Sequence, residues 1–211
     1  MTNEQDFYFT IESAFRAEEF KVKGSRFIAD IFPASSKEEI EKYLSAIRKE
    51  FYDATHHCYA FRLGIHAENI RAADDGEPAG TAGKPILLAL SSKELTDCLL
   101  IVTRYYGGTN LGTGGLARAY GEAAQLVATG AKMNTIYLTN TYNLILGYEE
   151  VAPLERLLTA YEARQTTEYG EKIIMKVNIR KSLSEKFEAD IIEKFYGKVL
   201  LTEVSSLNTL S

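Results

Sequence analysis

The sequence predicts an α+β protein in two domains, and three observations carry that prediction. Its 211 residues are long for one small core and sufficient for two, each of about 70 to 140 residues. Through the first 134 residues, helical apolar stripes are interspersed with strand-like runs. Beyond residue 137 a shorter pattern follows in the order strand, helix, strand, strand, helix, strand, which is the ferredoxin-like arrangement. The expected domains are 1–134 and 137–205, with residues 206–211 a short polar tail.

In the first domain, residues up to Ala34 read as extended strands, with Lys23-Gly24-Ser25 as the turn between two of them. Ser36 and Glu39 form a capping box for a helix whose apolar stripe is Ile40, Tyr43, Leu44, Ile47 and Phe51. Residues 57–63 alternate, placing His57, Tyr59, Phe61 and Leu63 on one strand face. Pro85 sits in the first turn of a helix over 86–90, and the unbroken apolar run 98–102 suits a strand buried on both faces. A long helix covers 115–129, with Leu116, Tyr120, Ala123 and Val127 on one stripe and Gly130 as its stop. A polar connection near Asn134 leads on.

In the second domain the strands fall at 138–146, near 165–168, at 172–180 and at 198–204. Ile173, Met175, Val177 and Ile179 point inward by strict alternation. One helix covers 151–161, and a second starts from a capping box of Ser182 and Glu185 and ends at Gly197.

Composition excludes several classes. The 45% apolar and 25% charged content is that of an ordinary globular chain. The N-terminus lacks a basic segment followed by an apolar one, and no apolar run is long enough to span a bilayer, so a cytoplasmic protein without a membrane partner is expected. Cys58 and Cys98 lie in strand-like runs and read as reduced core thiols. A net charge of −5 provides no general attraction for phosphate backbones, so no DNA partner is expected and any RNA contact must come from a local patch.

The stretch RYYGGTNLGTGGLARAYG, residues 104–121, holds six glycines in eighteen positions. It leaves an apolar strand and enters a helix through Thr113, Gly114 and Gly115, so unpaired amides and the positive end of the helix dipole face whatever lies in front. Gly107, Gly108 and Gly112 shape the approach, and Arg104 and Arg118 could add charged contacts to a phosphate or carboxylate. Equally, the glycines could serve a tight strand-to-helix crossing while both arginines pair with nearby acids. Neither a Walker loop nor a dinucleotide fingerprint is present, so no nucleotide cofactor is specified.

A second loop, DDGEPAGTAGKP, puts Asp74, Asp75 and Glu77 close together, followed by Thr81 and Lys84. Such acids could bind a cation, act as acid and base, or pair with Arg104 and Arg118; as a bland alternative, Asp-Asp-Gly is a turn. His56 and His57, adjacent on a strand, point to opposite faces and cannot share one metal ion. No metal is expected. No nucleophile elbow occurs, and Cys58 points away from its histidine neighbour, so no covalent catalytic residue is expected either. Tyr105 and Tyr106 lie near the arginines and could stack RNA bases, whereas Tyr120 belongs to the core.

Three segments, HHCYAFRLG, DDGEPAGTAGKPIL and TRYYGGTNLGTGGLARAYGEAA, in this order and spacing, resemble the IMPACT family in its bacterial, YigZ-like form. The resemblance covers about residues 15–130. It implies a first domain of the ribosomal protein S5 domain 2-like fold and a second similar to the last domain of the translocating elongation factor. It also implies a link to translation, since eukaryotic relatives regulate translation through protein partners in the amino-acid starvation response. Their additional partner-binding domain has no counterpart in this chain. The family pattern falls on His56, Asp74, Asp75, Gly76, Glu77, Arg104, Gly107, Gly108, Gly112, Gly114, Gly115 and Arg118. Some bacterial members carry a dipeptidase label, for which this chain shows no pair of metal-ligand clusters.

The leading expectation is a non-enzymatic, translation-associated regulatory protein that binds RNA, the ribosome or a translation factor through the glycine-rich loop, without a cofactor. The alternative is an enzyme acting on a small phosphorylated or carboxylated metabolite.

Overall fold

The structure, a computed structural model, describes residues 6–204. The first strands are β1 (Phe7–Ile11), β2 (Phe15–Arg16), β3 (Phe20–Val22) and β4 (Ser25–Pro33), then helix α1 (Lys37–Glu50). Next come β5 (His56–Leu63), β6 (Asn69–Ala73), α2 (Gly83–Ser92), β7 (Cys98–Tyr105), α3 (Gly112–Gly130) and β8 (Met133–Tyr137). The chain divides into two units: Tyr8–Ile136, and the segment from Tyr137 together with the residues up to Phe7.

The first unit is built around β7. Its sheet runs β2-β4-β7-β5-β6, with β3 also on β4, and every pairing in it is antiparallel. Alternation sorts the side chains into two cores. Ala29, Ile31, Cys58, Ala60, Leu100 and Val102 pack with Ile86 and Leu90 of α2 and with Leu116, Ala123 and Val127 of α3. Tyr59, Phe61, Leu63, Leu99 and Ile101 pack with Ile40, Leu44 and Ile47 of α1. The apolar run of β7 is therefore buried on both faces, as its sequence predicts. Ser36 caps α1 as expected, its hydroxyl accepting from the Glu39 amide, while Glu39 returns a bond to the Ser35 amide.

The second unit holds β9 (Thr139–Leu146), α4 (Val151–Ala160), β10 (Arg164–Tyr169), β11 (Ile173–Arg180), α5 (Ser184–Phe195) and β12 (Leu200–Val204). The sheet order is β10-β11-β9-β12, all antiparallel. Ile173, Met175, Val177 and Ile179 are fully buried against Leu154, Leu158, Phe187 and Ile191, which accounts for the alternation of β11.

Two sequence expectations need correction. The connection near Asn134 is a strand, because β8 pairs with β1 through backbone bonds that require no apolar side chains. Ser182 caps no helix: it lies in a 3₁₀ turn, and its amide and hydroxyl both donate to Asp6, which joins the second unit rather than the first. Helix α3 ends at Gly130 as expected, and a side chain there would meet the Phe15 ring at 2.7 Å. The expected tail, 206–211, lies outside the described residues. Among the described residues, no helix is long and apolar enough to cross a membrane, and Cys58 and Cys98 are free, buried thiols.

The close approach that demands glycine is at Gly107. A Cβ there would lie 1.9 Å from the carbonyl carbon of Gly24, so the end of β7 and the β3–β4 turn pack backbone to backbone. Gly107→Ala should lose about 2–3 kcal/mol in a denaturant melt. Gly114→Ala, on an uncrowded first turn of α3, should instead be neutral or gain about 0.5–1 kcal/mol.

Candidate functional site

The loop after β6 is organised by Asp74. Its carboxylate accepts from three backbone amides, Gly80 (2.8 Å), Ala82 (2.9 Å) and Gly83 (2.8 Å), and so caps α2, whose own N-cap residue Ala82 offers no side-chain acceptor. Partial burial works to raise the Asp74 carboxyl's pKa, but the three amides outweigh it and hold the group below its ordinary value. Asp75, at φ 45°, turns the chain, and its carboxylate accepts from the His57 amide at 2.6 Å. Its carbonyl oxygen lies 2.7 Å from His56 Nδ1. Thr81 is buried and donates to the Pro78 carbonyl at 2.6 Å. Asp74 and Thr81 are thus loop architecture rather than ligand-facing groups.

Glu77 is the centre of the network. Oε1 accepts from Arg104 Nη1 at 2.5 Å and from the Tyr120 hydroxyl at 2.8 Å. Arg104 Nη2 donates to Ser25 Oγ at 3.1 Å, and Ser25 Oγ also accepts from the Gly107 amide at 3.2 Å. The guanidinium lies 5.5 Å from the ring centres of both Phe27 and Tyr106. Burial, then the adjacent Cys58 thiol and Glu77 carboxylate, push Tyr120 far above the usual phenol range, so it stays a donor. Burial likewise pushes the Cys58 thiol up to about 12.

Arg104 is therefore not the free clamp expected from sequence. It is 4% exposed, and its two terminal nitrogens are committed to Glu77 and Ser25. The expected partnership with Arg118 does not form. Arg118 is exposed, reaches back over the first turn of α3, and lines a separate 190 Å³ pocket with Phe20, Val22, Lys23 and Glu122. It makes no ion pair or hydrogen bond among the described residues. Lys84, exposed at the start of α2, lines neither pocket.

Beside Glu77 opens a cleft of about 470 Å³, lined by Thr55, His56, Pro78, Tyr106, Asn110, Gly112 and Thr113 among others. The N-terminus of α3 forms one wall. Its N-cap, Leu111, supplies no side-chain acceptor, so the amides of Gly112, Thr113 and Gly114 are left without a capping group. Gly108 and Gly112 adopt positive φ in open space on the way in. A helix start in this condition favours negative charge. Among the described residues, no group of three or more His, Cys, Asp or Glu side chains could hold a metal ion.

Sequence reasoning placed Asn110 inside the glycine stretch without assigning it a role, and it read Tyr120 as core alone. The Tyr120 ring is indeed fully buried, while its hydroxyl belongs to the network. Ser25 and Thr55 carried no signal, since only the pairing of β4, β5 and β7 brings them to the site.

The Impact N-terminal domain family matches residues 23–128, half of the chain. The protein belongs to the IMPACT family. Residues 144–198 match a domain of unknown function, DUF1949. The IMPACT family member YvyE of Bacillus subtilis is 42% identical over 116 residues, which span 55% of this chain and about half (53%) of that protein. The IMPACT family member YigZ of Escherichia coli is 30% identical over 187 residues, 87% of this chain and 92% of YigZ. A crystal structure of a hypothetical protein, 27% identical, superposes with a TM-score of 0.66 over 96% of this chain and 99% of that one.

Asp74 provides a test of the loop. Because its folded carboxyl is held below the unfolded value of about 3.9, its contribution to stability is present above that value and lost as pH falls through the lowered one. Asp74→Ala should lose about 1–2 kcal/mol at neutral pH and show a shallower acid-side decline in thermal melts.

Proposed function

We propose that this IMPACT family protein is a translation-associated regulatory protein that binds RNA, on the ribosome or free, by seating a backbone phosphate at the mouth of α3. The observation that carries the reading is the uncapped first turn of α3 opening onto a cleft. Exposed, unpaired Arg118, one turn further into α3 and reaching back over Gly114, adds a positive charge beside the cleft, and the half-exposed Tyr106 ring adds a surface on which a base can stack. Arg104 contributes by fixing Glu77 and Ser25, not by gripping the ligand. Family membership supports the translation link.

In the same reading, the first unit is S5 domain 2-like and the second ferredoxin-like. The strand order β10-β11-β9-β12 supports the latter. The cleft's volume also suits a small phosphorylated or carboxylated metabolite, which favours an enzyme as the second reading.

Co-sedimentation with ribosomes across a salt series tests the proposal. Association should weaken steadily as salt rises, and Arg118→Ala should lower the affinity about tenfold at low salt. No association at any salt, combined with a rise in melting temperature on adding a phosphorylated metabolite, would favour the second reading.

A further inference from the structure

We propose that the cleft also cleaves the RNA it seats, without a metal ion, with His56 as the general base. The inference rests on the RNA-binding reading and adds chemistry to it. His56 Nδ1 lies 2.7 Å from the Asp75 carbonyl oxygen, which can only accept, so Nδ1 carries the proton and Nε2 of the neutral ring carries the lone pair. Nε2 faces Glu77 Oε1 at 3.8 Å, beyond hydrogen-bond distance, and that oxygen already accepts from Arg104 and Tyr120. Glu77 therefore leaves the lone pair free.

The ring is held in place as well as in tautomer. Gly76, at φ 89°, brings the loop backbone against His56, where a Cβ would lie 3.3 Å from Nδ1. His56 remains 20% exposed and lines the same cleft as Gly112, Thr113 and Tyr106. The ionisable residues that meet its ring are Glu77, facing Nε2, and Asp75, through its carbonyl oxygen; Arg104 pairs with Glu77, and Arg48 and His57 lie against Asp75, at 3.8 and 4.0 Å. None of these occupies Nε2.

In the reaction, Nε2 removes the proton from a ribose 2′-hydroxyl. The 2′-oxygen forms a bond to the adjacent phosphorus, whose non-bridging oxygens face the α3 amides, and the bond from phosphorus to the 5′-oxygen breaks. The proton taken by His56 passes through solvent to the leaving oxygen. The products are a 2′,3′-cyclic phosphate end and a 5′-hydroxyl end, with no co-reactant consumed.

The test uses the full-length protein with EDTA and a fluorophore-labelled single-stranded RNA, beside the same oligonucleotide with 2′-deoxyribose throughout. The RNA should be cut to 2′,3′-cyclic phosphate ends while the deoxy strand is bound and left intact. His56→Gln should lower the cleavage rate about 100-fold and leave the melting temperature within a few degrees of the parent. Proton–nitrogen NMR of the neutral ring should show the Nδ1–H tautomer. Binding of the deoxy strand with no RNA cleavage at any pH, or undiminished cleavage by His56→Gln, would overturn the catalytic role alone. Failure to bind either strand would overturn the RNA reading beneath it.

Discussion

The buried pair between Glu77 and Arg104 is the constraint on which the site depends. A charge pair this enclosed adds little net stability, since desolvation of both groups offsets their attraction, but removal of either partner strands a buried charge at a cost of about 3–5 kcal/mol. Its structural effect is to join four parts of the first unit. Arg104 brings β7, Ser25 brings the start of β4, Tyr120 brings α3, and Glu77 brings the loop after β6. The Phe27 and Tyr106 rings each lie 5.5 Å from the guanidinium.

One consequence is what Glu77 does not do. A carboxylate beside a helix start would ordinarily serve as its cap, yet both contacts of Oε1 go to Arg104 and Tyr120, and the first turn of α3 is left without a side-chain cap. The neighbouring α2 shows the contrast. Asp74 satisfies the Ala82 and Gly83 amides from within the chain, so the start of α2 carries a carboxylate of its own. Of two helix starts near one loop, the fold closes one and leaves the other facing a cleft.

Much of this architecture was legible in the sequence, because burial imposes periods that survive in the residues. The apolar run of β7, the alternation of β11 and the stripe of α3 each mark which faces are covered. The glycine stretch also marked the site, though its glycines act for different reasons: Gly107 for a backbone contact with Gly24, Gly112 for its dihedral. Pairings between distant residues were only partly legible. The sequence offers a pairing of the 74–77 acids with Arg104 among other roles, but nothing local to Arg104 says that Glu77, twenty-seven positions earlier, is the acid that takes its charge, and nothing in Asp-Asp-Gly says that Asp74 reaches forward to the amides of α2. Strand β8 was missed because its side chains are mostly exposed and leave no apolar pattern.

The claim that the mouth of α3 is an open anion seat is tested most directly by following backbone amide resonances while inorganic phosphate is added. The account predicts saturable shifts at Gly112, Thr113 and Gly114, with the amides of Ala82 and Gly83, already bound to Asp74, unmoved. Shifts spread over exposed lysines elsewhere, with the α3 amides unchanged, would contradict it.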